Sequence, residues 1–147
     1  MYNILIIIHV LAATVWAGGH LILAIVFLPK ALRTKDIETI RNFEEKYELI
    51  GIPALIIQIA SGLWLSFIRI PNFFDWFDHS YFVPINISIK LALIIITLLL
   101  ALDARLRIIP KLSKDNITQL AYHIIPVTII AVLLVIIGVS FRFGGLF

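Results

Sequence analysis

Residues 4–28 read ILIIIHVLAATVWAGGHLILAIVFL, an almost unbroken apolar run that stops at Pro29 and Lys30. A helix of about 20 such residues crosses the roughly 30 Å hydrocarbon core of a bilayer, so this stretch predicts a membrane-spanning helix. No basic segment precedes it, and it exceeds the usual apolar length of a signal peptide, about 7–15 residues. We therefore interpret it as a retained first span.

The composition of the whole chain is typical of a membrane protein. Of its 147 residues, 61% are hydrophobic and 14% are charged, which leaves too little polar surface to cover a soluble domain. The chain has no cysteine, which excludes disulfides, thiolate metal sites and iron–sulfur clusters. Its single methionine is Met1, which also excludes a methionine-rich site for a soft metal.

Three more apolar runs follow the first one. Lipid offers the backbone no hydrogen-bond partners, so each run is predicted to be a helix. None shows the strict alternation of a membrane barrel strand. The sequence therefore predicts an all-α integral membrane protein, a four-transmembrane-helix bundle in one membrane domain over residues 1–147. Its spans are expected at about 4–28, 49–68, 84–102 and 119–140.

The distribution of basic residues predicts the orientation of the bundle. Nine of the twelve Lys and Arg residues lie in the loops after the first and third spans, whereas only Arg69 and Arg142 lie on the opposite side. Because basic loops stay in the cytoplasm, both termini are expected on the non-cytoplasmic side. The net charge of +3 then reflects membrane topology, with the lipid bilayer as partner, and does not indicate nucleic-acid binding.

The first span carries a polar stripe. Trp16 and His20 lie seven and eleven residues after His9. On a helix this places each of them within about 20° of His9, and it places the two histidines about 16 Å apart. Small residues beside the stripe allow close helix approach, so the stripe is expected to face the bundle interior. These small residues are Ala12, Ala13, Gly18 and Gly19.

Depth along the spans suggests partners for the two histidines. Lys90 lies six residues past Pro84, about two turns in from the outer side, which is the expected depth of His9. His123 lies about one turn in from the cytoplasmic end of the last span, with an offset of about 8 Å from His20 that tilt or side-chain reach could absorb.

Our primary hypothesis from the residues is a b-type haem site. Imidazole is a good ligand for haem iron, copper and zinc, and basic side chains suit haem propionates. The protein would act in electron transfer or in a haem-linked oxidation, as a haem-dependent membrane oxidoreductase. Seven residues receive roles: His20 and His123 as ligands, His9 with Lys90 as a second site, Trp16 packed on the macrocycle, and Arg69 and Arg142 at the propionates.

Two other functions stay open. In the first, His9, His20 and His123 are metal sites that bind copper transiently during transport. In the second, the protein is a non-catalytic membrane assembly subunit, whose histidines only hydrogen-bond across helices and whose Lys90 extends to the interface. Expected partners are a quinone, a periplasmic electron or copper carrier, and a second copy of the chain in a homodimer.

Four segments carry a resemblance to a known family. HVLAATVWAGG, NFEEKYELIGIPALIIQIASGLWL, IKLALIIITLLLALDARLR and YHIIPVTIIAVLLVIIG resemble the CopD-like membrane proteins associated with copper resistance, and also the HemJ-type protoporphyrinogen oxidases. The CopD resemblance implies copper handling, such as import to the cytoplasm, in a multi-pass protein of the bacterial inner membrane.

The HemJ resemblance rests on single positions. His9 and Trp16 match its first helix, Pro53 and Gly62 match its second, and Lys90 matches its third. It implies that His9 and Lys90 serve a haem-linked activity. The chain departs from that pattern at two places, where it has Leu102-Asp103 and His123-Ile124-Ile125-Pro126.

Overall fold

Four long helices make up the protein in a computed structural model that describes residues 1–144. They are α1 (Tyr2–Thr34), α2 (Ile37–Arg69), α3 (Phe82–Lys111) and α4 (Ile117–Ser140). Each is long and apolar enough to cross a membrane, and the described residues contain no strand. The predicted all-α, four-helix membrane fold is therefore confirmed. We call the end that holds the α1–α2 and α3–α4 turns the basic end, and the other the terminal end.

Helix α1 continues past the expected stop at Pro29. Its first segment, Tyr2–Ile22, leads into a wider π-helical turn at Leu23–Phe27, and an α-helical segment then runs over Leu28–Thr34. Pro29 lies in the first turn of that segment, where its missing N–H and fixed φ are tolerated. The helix ends at Lys35, which adopts the left-handed conformation with φ 54°.

Asp36 begins α2 immediately after this turn. Its carboxylate accepts hydrogen bonds from the Thr39 backbone N–H at 3.3 Å and from the Thr39 hydroxyl at 2.5 Å. These bonds satisfy orphan groups at the helix start and hold the pKa of the Asp36 carboxyl below its ordinary value. The cap makes the α1–α2 connection a tight turn, so the two helices run antiparallel as the most extensively packed pair.

Helix α4 is the core of the bundle. In its apolar 18-residue stretch, half is buried inside the protein, compared with 17% of the corresponding stretch in α2 and in α3. It packs against α1 on one side and α3 on the other. Most other large apolar side chains point outward, as expected for helices whose outer surface contacts lipid.

The connection between α2 and α3 folds against the terminal end. It contains a short 3₁₀ helix, Phe73–Phe77, whose Trp76 is completely buried. The Trp76 indole N–H donates to the Ile70 carbonyl at 2.8 Å, and its own carbonyl accepts from the Ser88 hydroxyl. The loop is thereby tied to both helices that it joins.

A glycine sets the close approach of α1 and α2. The Tyr47 ring lies directly over Gly19, and its hydroxyl donates to the Trp16 carbonyl at 2.7 Å. A Cβ atom at Gly19 would lie 2.0 Å from Cε2 of Tyr47, whereas one at Gly18 would meet nothing within 4 Å. Of the two adjacent glycines, Gly19 is therefore the one that the packing requires.

We expect Gly19→Ala to destabilise the protein by about 1–3 kcal/mol, because the new methyl group displaces the Tyr47 ring. Gly18→Ala is the matched control and should leave stability unchanged or raise it by about 0.5–1 kcal/mol, since alanine favours a helix. Thermal unfolding of both variants in detergent measures the difference. Equal melting temperatures would contradict this role of Gly19.

Candidate functional site in the bundle interior

His9 is held by a serine on the facing helix. Its Nδ1 lies 2.9 Å from the Ser61 hydroxyl, which in turn lies 2.6 Å from the Ile57 carbonyl. A carbonyl only accepts, so the Ser61 proton points to Ile57 and the Ser61 oxygen accepts from His9. His9 therefore carries its proton on Nδ1, and its Nε2 keeps a free lone pair. Gly62 makes room for this ring, since a Cβ there would lie 3.0 Å from Cε1 of His9.

His20 has the same arrangement one level further along α1. Its Nδ1 lies 3.0 Å from the Trp16 carbonyl, so Nδ1 donates and Nε2 is again the atom with a lone pair. Two aromatic rings flank the imidazole: the ring centroid of Trp16 lies 4.8 Å away and that of Tyr47 lies 5.7 Å away. His20 thus presents one ligand atom beside two aromatic rings.

The stripe of α1 faces the bundle interior. Trp16, at its centre, is only 3% exposed, while His9 and His20 are half-buried. Eleven residues of helix separate the two imidazoles by about 16 Å. A metal–imidazole bond is only about 2 Å long, so one ion cannot bind both rings. The described residues contain no group of three His, Cys, Asp or Glu side chains that could hold a metal ion.

His123 contacts an aspartate on α3. Its Nε2 lies 2.7 Å from Oδ2 of Asp103, and its Nδ1 lies 3.0 Å from the Gln119 carbonyl. The Asp103 carboxylate and the Gln119 carbonyl are both acceptors, so each ring nitrogen of His123 faces an acceptor. Arg107 donates to the same Asp103 oxygen at 2.8 Å. A ligand role for His123 stays a prediction, and it requires the Asp103 contact to break.

Two cationic side chains, Lys90 and Arg69, lie close together at the terminal end. Lys90 Nζ lies 4.9 Å from the centre of the Phe141 ring, and Arg69 Cζ lies 5.2 Å from it, both within the range of a cation–π contact. Arg69 also donates to the Tyr2 hydroxyl at 3.3 Å. Arg142 lies in the exposed turn after α4. Within residues 1–144 no carboxylate forms an ion pair with Lys90 or Arg69.

The comparison with protein families gives one match. The family model for copper resistance protein D, CopD, matches residues 41–141. The chain belongs to the CopD family. Searches of curated proteins and of solved structures each gave no match. This membership favours the copper function over the haem hypothesis, and the HemJ resemblance stays a prediction.

The CopD match covers α3, α4 and all but the first turn of α2, and it leaves out the whole of α1. It includes Lys90, the Asp103–His123 pair and Ser61, the partner of His9. His9 itself lies before the matched region, as does His20. The choice of His9 and His20 as candidate ligands therefore rests on their geometry in this chain. The family match supplies only the relation to copper.

Tyr47 and Phe141 are the site residues that the sequence analysis missed. Tyr47 lies in a stretch of mixed charge, and its contact with Gly19 comes from a distant part of the chain. Gly51, one turn further along α2, also packs against the Tyr47 ring. A glycine one turn from a tyrosine was the local feature of the sequence that could have indicated close packing there. Phe141 directly follows α4, between Ser140 and Arg142. Nothing in the sequence distinguishes it until the fold places Lys90 and Arg69 beside its ring.

Nitrogen-15 NMR of labelled histidines measures the protonation that these hydrogen bonds require. At neutral pH we expect His9 and His20 each to show a proton on Nδ1, because the oxygen beside each Nδ1 acts as the acceptor. Ser61→Ala should shift the His9 Nδ1 signal, because it removes that acceptor. His20, whose acceptor is a backbone carbonyl, is the internal control and should keep its signals. A proton on Nε2 alone of His9 in the unaltered protein would contradict this assignment.

Proposed function

We propose that this CopD-family protein carries copper ions across the membrane, with His9 and His20 as successive transient ligands. The observation that carries the proposal is the free Nε2 of each ring, which results from the hydrogen bond at its Nδ1. Membership of the copper resistance family supports copper as the substrate. Copper is the cargo here, and each histidine binds it only in passing.

The chemistry of the two sites suits passage better than storage. Imidazole is a good copper ligand, and an N–H bonded to an oxygen acceptor orients the ring and raises its basicity as a ligand. One protein ligand at each level binds an ion weakly enough to release it, which conduction requires. At His20 the faces of Trp16 and Tyr47 add cation–π stabilisation for a monovalent ion.

Polar oxygens lie along the path between the two levels. Gln58 lies one turn from Ser61 toward the basic end, and its Oε1 is buried without a hydrogen-bond partner among residues 1–144. The Thr128 hydroxyl donates to the carbonyls of Ile124 and His20. Such oxygens lower the cost of moving an ion through an apolar interior.

The expected orientation gives the transport a direction. With the basic end in the cytoplasm, His9 lies nearer the outside and His20 nearer the cytoplasm. Copper imported from the periplasm across a bacterial inner membrane would then meet His9 first. A periplasmic copper carrier is the partner that this direction requires.

Copper uptake into vesicles that contain the purified protein tests the proposal. His9→Ala and His20→Ala should each reduce the initial rate to that of protein-free vesicles, because each removes one ligand atom. His20→Phe should do the same while it keeps the aromatic packing. His79→Ala, a change in the exposed α2–α3 loop, should leave uptake intact. Full uptake by the His9 and His20 variants would refute the role of these residues, and a loss of stability alone would indicate an assembly subunit.

A b-type haem is the second candidate, and the pair of cations at the terminal end favours it. His9 would supply a ligand nitrogen for the iron, and Lys90 and Arg69 would hold the propionates. The haem would supply one-electron chemistry for electron transfer or oxidation, with a quinone as a fitting partner.

An absorption spectrum of the protein, purified from cells with ample haem and recorded oxidised and then reduced, separates the two candidates. A Soret band with b-type α and β bands that His9→Ala abolishes would establish the haem site. We expect a colourless protein instead, because copper is proposed as a transient cargo. His79→Ala again provides the matched control.

A further inference from the structure

An open cleft lies at the basic end, between the end of α3 and the start of α4. Its volume is about 380 Å³, and we call it the basic cleft. It lies outside the stripe of α1, and neither the proposed copper passage nor the haem candidate at His9 uses it. The polar side chains that line it are Arg107, Lys111, Asn116, Gln119, Tyr122 and His123.

The basic cleft holds more positive than negative charge. Arg107 and Lys111 supply two cations, whereas one carboxylate, Asp103, forms an ion pair with Arg107. Within residues 1–144 no carboxylate forms an ion pair with Lys111. The N-terminus of α4 also opens toward this region, and its dipole adds positive potential. An anion in the cleft would therefore meet a surplus of positive charge.

The turn that carries Lys111 is already ordered. The Asn116 side-chain amide donates to the Lys111 carbonyl at 2.7 Å, and its oxygen accepts from the Ser113 backbone N–H at 2.7 Å. These two bonds close the turn between α3 and α4. A ligand that binds beside Lys111 thus pays little entropy to organise the backbone.

The rim of the cleft lies at the depth of lipid headgroups. The long apolar sequence of α4 begins at Ile117, so the cleft lies where the bundle leaves the hydrocarbon. Tyr122 beside it is 70% exposed and Leu106 nearby is 69% exposed. An exposed tyrosine with an exposed apolar neighbour is typical of the membrane interface, and basic pockets between helices at this depth suit acidic headgroups.

We propose that the basic cleft binds the phosphate group of an anionic phospholipid, with Arg107 and Lys111 as its ion-pair partners. Arg107 reaches the phosphate while it keeps Asp103, since a guanidinium has several donors. The lipid's acyl chains would lie along the exposed apolar surface of α3. The same phosphate chemistry could come from a soluble phosphate, so the experiment compares the two sources directly.

Native mass spectrometry of the full-length protein in detergent, titrated with phosphatidylglycerol, measures this binding. Lys111→Gln is the decisive variant because it leaves the Asp103, Arg107 and His123 contacts intact. We expect it to lower the affinity about fivefold, the contribution of one basic residue near an anionic surface. Phosphatidylcholine should bind more weakly and show no dependence on Lys111.

The matched control removes two basic residues at the same end but outside the cleft, Lys30→Gln with Arg33→Gln. It should leave phosphatidylglycerol binding unchanged. An equal loss in this control, or none in Lys111→Gln, would overturn the proposal because it would show general surface attraction. Inorganic phosphate bound with the same Lys111 dependence, without retention of phosphatidylglycerol, would overturn the lipid source. None of these outcomes depends on copper transport.

Discussion

The structure depends on how polar groups inside the membrane find hydrogen-bond partners in the protein itself, since lipid offers none. Interior side chains meet this need with helix carbonyls one turn away. His20 donates to the Trp16 carbonyl, His123 donates to the Gln119 carbonyl, and Ser61 donates to the Ile57 carbonyl. Each such bond uses one proton and leaves another group available, which is the second ring nitrogen of a histidine or the lone pairs of the Ser61 oxygen. The remaining atom decides what the residue can do.

This constraint separates the three interior histidines. In His9 and His20 the second nitrogen keeps its lone pair, which makes both rings competent ligands. In His123 the second nitrogen is hydrogen-bonded to Asp103, and this bond joins α4 to α3. Residues of one type thus differ in role, candidate ligand or helix contact, because their second contacts differ.

Charge is arranged differently at the two ends of the bundle. At the terminal end Lys90 and Arg69 both lie near the Phe141 ring. The electron-rich face of the ring stabilises their positive charges, where a carboxylate would otherwise do so. At the basic end Asp103 offsets part of the charge, and Lys111 is left beside an open cleft. The first arrangement lies next to the histidine stripe, while the second lies at the membrane surface and suits contact with lipid.

The sequence by itself determined the four spans and the interior stripe, because hydrocarbon thickness sets the length of an apolar run and helical period sets which residues share a face. It could not show that Asp103 is the partner of His123, or that Lys90 lies with Arg69 over Phe141. Depth can be counted along one helix, but contacts between helices depend on their rotation and tilt. The tertiary packing alone decided those, through close approaches such as that of Tyr47 over Gly19.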